Sequence, residues 1–106
     1  MSCYLDHKRR ELVGSRGRRQ LTPLEYRILD RLLQADGRAV SKDELIEFAY
    51  PDHLLHVGVT DECLAQIISR LRRKMNLLTA RGARLLNSVH GVGYILRSDA
   101  RLQVES

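Results

Sequence analysis

Two helix-start signals in close succession constrain this chain most. At the first, Thr22 is followed by Pro23 and, three residues on, by Glu25. A Thr and a Glu at this spacing can form a capping box, in which each side chain accepts the other's backbone N–H, and proline suits the first helical position. Apolar residues then recur at helical spacing before Asp36-Gly37, a typical helix end: Leu24, Ile28, Leu29, Leu32 and Leu33.

The second signal is at Ser41, which follows the apolar Val40 and precedes Glu44 by three residues. Pro51 ends this second helix, because proline cannot continue one. Its apolar surface comes from Leu45, Ile46, Phe48 and Ala49. The loop that follows, over 51–60, has about ten residues, which is long for so small a domain and indicates function or mobility.

A third helix is predicted to begin near Thr60, where two acidic residues follow a capping hydroxyl at the positive end of the helix dipole. One side of this helix is apolar, with Leu64, Ile67, Ile68, Leu71 and Met75 in a single arc. The opposite side carries Glu62, Ala65, Gln66, Ser69, Arg70 and Arg73, with Arg72 and Lys74 on its flanks. We expect the apolar face to pack in the core and the basic face to remain free.

Short β-prone segments precede the first helix and follow the third. Strands are predicted at 3–5, 11–13 and 18–21, and a terminal hairpin over 85–96 is predicted around a turn that contains Gly91 and Gly93. We attribute both glycines to turn geometry. Residues 79–84 are predicted as a basic loop and residues 99–106, which lack periodicity, as a C-terminal tail. The chain therefore has one α+β domain over 1–98.

The positive charge of the chain is segregated. Residues 63–98 contain seven Lys or Arg residues and no Asp or Glu, whereas residues 21–62 contain nine acids and four bases. The net charge is +5, which suits a polyanionic partner. A solvated helix would mix the two signs, so this distribution favours binding over simple exposure.

Several functional classes find no support in the sequence. We find no phosphate-cradling loop, no arrangement of a nucleophile with its base and no paired carboxylates, so we expect no enzyme activity and no cofactor. Cys3 and Cys63 are far apart and predict reduced thiols. His53 and His56 have metal-ligand spacing but lack further ligands, so a solvated loop is the favoured interpretation. With no apolar run of about 18 residues and no signal peptide, the expected location is the cytoplasm, without membrane contact.

Two short helices, a basic-faced helix and a glycine-turned hairpin are the parts of a winged helix-turn-helix unit. A helix fits the major groove of DNA, where Gln66 can pair with adenine and Arg70 with guanine. A winged helix that docks an acidic protein remains the alternative, and competition by duplex DNA separates the two.

Four sequence blocks, in order, resemble the effector domain of OmpR/PhoB-type response regulators. They are Leu21-Thr22-Pro23-Leu24-Glu25-Tyr26-Arg27-Ile28-Leu29, the pattern Gly37-x-x-Val40-Ser41-Lys42-x-x-Leu45, then Ile68-Ser69-Arg70-Leu71-Arg72-Arg73-Lys74, and Ser88-Val89-His90-Gly91-Val92-Gly93-Tyr94. The resemblance implies an N-terminal four-stranded antiparallel sheet, three helices and a C-terminal hairpin wing.

The same resemblance implies a function and partners. The third helix enters the major groove of double-stranded DNA, the wing touches the minor groove, and tandem repeats are bound as a head-to-tail dimer. The loop between helices two and three can contact RNA polymerase, through Asp52, His53 and His56. The receiver domain of two-component phosphorelay regulators is not in this sequence, so the chain is either a fragment of a longer regulator or a stand-alone relative.

Carried over by position, the resemblance assigns a set of DNA-binding residues. Gln66 and Arg70 become base contacts, Ser69 and Arg72 phosphate contacts, and Ser88 and His90 wing contacts. Tyr50, Arg73, Lys74 and Tyr94 complete the set. Departures from the family occur at Glu62, often Arg in relatives, at Ala65, often acidic, and at His90, often Arg. If His90 contacts DNA, affinity should rise as the pH falls, because only the imidazolium is charged.

Overall fold

The computed structural model describes residues 3–50 and 60–97 with their side chains, and 102–105 as backbone. The elements, in chain order, are β1 Cys3–Asp6, β2 Glu11–Gly14, β3 Gly17–Gln20, α1 Pro23–Gln34, β4 Val40–Ser41, α2 Lys42–Ala49, α3 Asp61–Leu78, a 3-10 turn Gly82–Leu85, β5 Leu86–Val89, β6 Gly93–Leu96 and β7 Leu102–Glu105. The prediction of an α+β winged helix-turn-helix is confirmed.

The capping box predicted at the start of α1 is formed. The hydroxyl of Thr22 accepts the N–H of Glu25 at 3.2 Å, and the Glu25 carboxylate accepts the N–H of Thr22 at 2.9 Å. At α2 only half of the motif forms: Ser41 Oγ accepts the N–H of Glu44 at 3.1 Å. The Glu44 carboxylate instead accepts a hydrogen bond from Arg31 of α1 at 2.8 Å, because a guanidinium is a stronger partner than a backbone N–H.

One sheet is built from the two ends of the chain, in the order β3-β2-β1-β7. The strands β1, β2 and β3 pair antiparallel, but β7 pairs with β1 in parallel. The expected four-stranded sheet is present, but it is not wholly antiparallel, and its fourth strand lies within the segment 99–106 that was predicted as a tail. A strand as short as β7 forms because the edge of β1 offers unpaired backbone N–H and C=O groups. Pairing of this kind requires no particular side-chain pattern, so the sequence does not reveal it.

A second sheet joins the hairpin to the start of α2, in the order β4-β6-β5. Val40 pairs with Tyr94 and Ser41 with Gly93. A Cβ atom on Gly93 would lie 2.1 Å from the carbonyl oxygen of Val40, so this glycine is required by close backbone approach. Turn geometry explains only Gly91, which has a φ of 74°. The sequence analysis missed β4 and the 3-10 turn that follows α3.

The core lies between the three helices and the two sheets. The whole apolar stripe predicted for α3 is buried, and it packs with α1, α2 and the N-terminal strands: Leu64, Ile67, Ile68, Leu71 and Met75. Residues of a helix repeat about every 3.6 positions, so the residues outside this stripe lie on the other side of α3. Because the stripe is buried, that other side points outward. The packing of α3 therefore fixes which of its residues a partner can reach.

Candidate nucleic-acid interface

The outward face of α3 carries the polar and basic residues that the sequence singled out. Gln66, Ser69, Arg70 and Arg73 are all exposed. Arg70 and Arg73 form no side-chain hydrogen bond or ion pair with any residue that the structure describes. Two unneutralised guanidinium groups thus project from a rigid helix, beside the small side chain of Ala65, which permits close approach.

Arg72 lies on the flank of that face and is held by the wing. Its Nε donates to the carbonyl oxygen of Leu86 at 2.8 Å, and its Nη2 donates to Ser88 Oγ at 3.2 Å. The structure thus brings together two residues that were predicted as separate DNA contacts. Because both bonds use the planar fork of one guanidinium, Arg72 fixes the position of β5 relative to α3.

Lys74 does not belong to the exposed face. Its ammonium lies 2.5 Å from Oε1 of Glu25 and 2.7 Å from the carbonyl oxygen of Gln20. Only 1% of the Glu25 side chain is exposed, so the pair is anchored inside the domain. The structure therefore places Lys74 in an ion pair with a buried carboxylate, apart from Arg70 and Arg73, which are exposed and unpaired among the described residues.

The wing turn between β5 and β6 presents its residues to solvent. His90 is exposed as predicted, and Val92, which the sequence analysis did not select, has 46% of its surface exposed. The carbonyl oxygen of Val92 accepts the N–H of Lys42 at 3.3 Å, which ties the wing to the first residue of α2. An exposed aliphatic side chain at a wing tip is suited to contact with the floor of a minor groove.

The two predicted tyrosine contacts lie deeper than expected. Tyr94 is only 8% exposed and belongs to the core, where it pairs across the sheet with Val40 and packs inward. Tyr50 caps the C-terminal end of α2 and packs partly buried against the core. Burial raises the pKa of Tyr50. Both tyrosine rings thus pack against the core, beneath the exposed residues of α3 and the wing.

Cys63 stands in the first turn of α3, at the edge of the basic face, and is fully exposed. The hydroxyl of Thr60 donates to its sulfur at 3.5 Å, and this hydrogen bond lowers the pKa of the Cys63 thiol. Cys3 is the opposite case, because burial raises its pKa to about 11. The two free thiols of the described chain therefore differ in exposure and in the direction of their pKa shifts, and we expect them to differ in reactivity.

Three predicted contacts, Asp52, His53 and His56, lie outside the described residues. Within the part that the structure describes, no three His, Cys, Asp or Glu side chains are grouped as metal ligands. No helix found there has the length and apolar character that crossing a bilayer requires.

Comparison with known proteins identifies the family. The profile described as "Transcriptional regulatory protein, C terminal" matches residues 16–96. The chain is 36% identical over 80 residues to the transcriptional regulatory protein BaeR of Escherichia coli O6:H1, in an alignment that covers 76% of this chain and 32% of BaeR. The chain thus spans about a third of the length of the curated relatives that it matches.

Solved structures share the fold. The C-terminal domain of the nisin resistance regulator NsrR is 30% identical with a TM-score of 0.63, and the match covers 84% of this chain and 85% of that domain. The DNA-binding domain of the response regulator AdeR, solved with an intercistronic region, has a TM-score of 0.74 at 20% identity and covers 92% of this chain and 95% of that one. This chain belongs to the family of C-terminal effector domains of OmpR/PhoB-type transcriptional regulatory proteins.

Proposed function

We propose that this chain binds double-stranded DNA in a sequence-specific manner and is the output domain of a transcriptional regulator. The single observation that carries the proposal is the outward face of α3, where Arg70 and Arg73 are exposed and unpaired among the described residues. The buried stripe of the same helix holds this face rigid. Rigid presentation lowers the entropic cost of placing side chains against base edges.

Within this proposal the side chains have different tasks. Gln66 and Arg70 read base edges in the major groove, since an amide suits adenine and a guanidinium suits guanine. Ser69 and Arg73 bind phosphates, and His90 with Val92 contacts the minor groove. The remaining predicted residues hold this surface in place: Tyr50, Arg72, Lys74, Ser88 and Tyr94.

The wider setting of the domain also belongs to the proposal. The match to a third of BaeR supports a chain that works as one part of a longer cytoplasmic regulator, with a receiver domain as the further part. We propose head-to-tail binding to a direct repeat, with RNA polymerase contacted by the loop that contains Asp52, His53 and His56. The role is binding without catalysis or a cofactor.

The location of the interface is tested by titrating an isotope-labelled chain with a mixed-sequence duplex and following its backbone amide resonances. We expect the largest shifts at Gln66, Arg70 and His90, and small ones at the acidic residues Asp43 and Glu47 of α2. Shifts that are absent, or that centre on α2, would favour the alternative of a protein-interaction module. Repeating the titration at high salt is the control, since phosphate contacts weaken with added salt.

A further inference from the structure

Two separate loops place three arginines next to the C-terminal end of α3: Arg16, Arg81 and Arg84. The N–H of Arg16, in the turn between β2 and β3, donates to the carbonyl oxygen of Leu78 at 2.9 Å. Arg81 and Arg84 belong to the turn that leaves α3, where the N–H of Arg84 donates to the carbonyl oxygen of Arg81 at 3.0 Å. We name these three residues the arginine collar.

Two glycines allow the collar to close on the helix. A Cβ atom on Gly14 would lie 2.5 Å from the carbonyl oxygen of Leu78, and one on Gly82 would lie 2.0 Å from that of Met75. Both backbones therefore approach the last turn of α3 more closely than any other residue type permits. The collar is thus held in place by the main chain, not by its own side chains.

The guanidinium groups of the collar have no partner within the part of the protein that the structure describes. All three side chains are exposed, and none forms a hydrogen bond or an ion pair with the described residues. Helix capping does not use them either, because the carbonyl oxygen of Leu78 is bonded by the N–H of Arg16 and the hydroxyl of Ser15. Three exposed cations in loops beside one helix end, without an ionic partner among the described residues, fit a polyanion.

We propose that the arginine collar binds the sugar-phosphate backbone of the DNA that flanks the bases read by α3. This inference rests on the proposed function. With 18 residues, α3 is about 27 Å long, whereas the major groove is only about 12 Å wide. A helix whose exposed Gln66 and Arg70 lie over base edges therefore carries its C-terminal end towards the phosphate ridge that bounds the groove. The arginines of the collar bind phosphates on that ridge, so the domain covers a longer stretch of DNA.

Contacts of this kind have a distinct thermodynamic signature. Each phosphate neutralised by an arginine releases counterions, and this steepens the fall of log K with log salt by about 0.9. Three contacts add roughly three to the slope and strengthen binding at least about tenfold at moderate salt. They do not change the preferred base sequence, because phosphates carry no base identity.

The test compares the full chain with the variant Arg16→Gln/Arg81→Gln/Arg84→Gln on two duplexes, a core site alone and the same site with about ten flanking base pairs. The matched control is Lys8→Gln/Arg9→Gln/Arg38→Gln, which removes the same charge at exposed positions outside the two loops that carry the collar. Circular dichroism verifies that each variant is folded. Affinity for each duplex is measured across a series of salt concentrations.

We expect the wild-type chain and the control to bind the longer duplex more tightly and with a steeper salt slope, and the collar variant to bind both duplexes alike. An unchanged base preference in the collar variant would further support contacts to phosphates, which carry no base identity. Two results would overturn the inference. The first is that the collar variant still binds the longer duplex more tightly, as the wild-type chain does, which would favour an acidic protein as the partner of the collar. The second is that the control variant loses as much affinity for the longer duplex as the collar variant does. Failure of the wild-type chain to bind either duplex would overturn the proposed function as well.

Discussion

The ammonium of Lys74 lies 2.5 Å from a carboxylate oxygen of Glu25 that also accepts the N–H of Thr22 at 2.9 Å. One buried oxygen therefore closes the cap of α1 and anchors the basic end of α3. The chain separates these two residues by 49 positions, so the bond sets the relative position of two helices. It also removes one positive charge from the surface that we propose binds DNA.

Replacing Lys74 with Met should destabilise the domain, since it leaves the Glu25 carboxylate buried without its cation. We expect a loss of about 3 kcal/mol in the free energy of unfolding, measured by urea denaturation. The matched control is Arg73→Met at the neighbouring exposed position, which should leave stability nearly unchanged and weaken DNA binding. Wild-type stability combined with weakened DNA binding in Lys74→Met would show that Lys74 binds DNA after all.

Removing the guanidinium of Arg72 should loosen the wing. Arg72→Ala loses the bonds to Leu86 and Ser88, at a cost of about 1 to 3 kcal/mol in unfolding free energy. Arg72→Lys should restore little, because an ammonium lacks the planar fork that spans both acceptors. Amide hydrogen exchange of β5 and β6 measures the effect directly, and faster exchange is expected. If exchange and stability stay at wild-type values while DNA affinity falls, Arg72 is a phosphate contact.

Arg70 and Arg73 should respond differently to sequence. Arg70→Ala is expected to cost about 1 to 3 kcal/mol of binding on the preferred site and little on unrelated DNA, because base contacts are lost. Arg73→Ala should weaken binding to all sequences alike and lower the salt slope by about one. Titrations on both DNAs measure the two effects. Equal losses on both DNAs for Arg70→Ala would reassign that residue to the phosphates.

The two cysteines should differ in their reaction with iodoacetamide near neutral pH. The lowered pKa of Cys63 raises its thiolate fraction, whereas Cys3, with a pKa of about 11, stays protonated and shielded. Mass spectrometry should find alkylation at Cys63 in the native domain and at Cys3 only after unfolding. Thr60→Ala should move the pH–rate midpoint of Cys63 upward, with Cys63→Ser as the unlabelled control. An unmoved midpoint would mean that the Thr60 hydroxyl does not govern this thiol.

The parts of the fold that depend on local pattern were predictable from sequence. The cap at Thr22 and the buried stripe of α3 follow from residue spacing alone, and both are confirmed. The orientation of the Lys74 side chain was not predictable, because it depends on the carboxylate of Glu25, which belongs to another helix. The burial of Tyr94 was not predictable for a similar reason: a tyrosine can lie on a wing surface or in a core, and the pairing of β6 with β4 places this one in the core.

The proposed DNA-binding site was likewise predictable only where it depends on local pattern. Periodicity placed Gln66, Arg70 and Arg73 on the outward face because burial of the opposite stripe leaves no other orientation. Periodicity does not reveal that Arg72 bonds the wing, since such a bond depends on where β5 returns to α3. The strand β7 escaped prediction because four residues of extended backbone are specified by an open sheet edge and not by their own pattern.

Selection of bound duplexes from a random DNA pool, followed by titration of the winning sequence against unrelated DNA at fixed salt, tests the central claim most directly. We expect enrichment of a direct repeat with helical-turn spacing, bound at least about 10³-fold more tightly than unrelated DNA. Absence of enrichment, with only weak and salt-sensitive binding to every duplex, would contradict it.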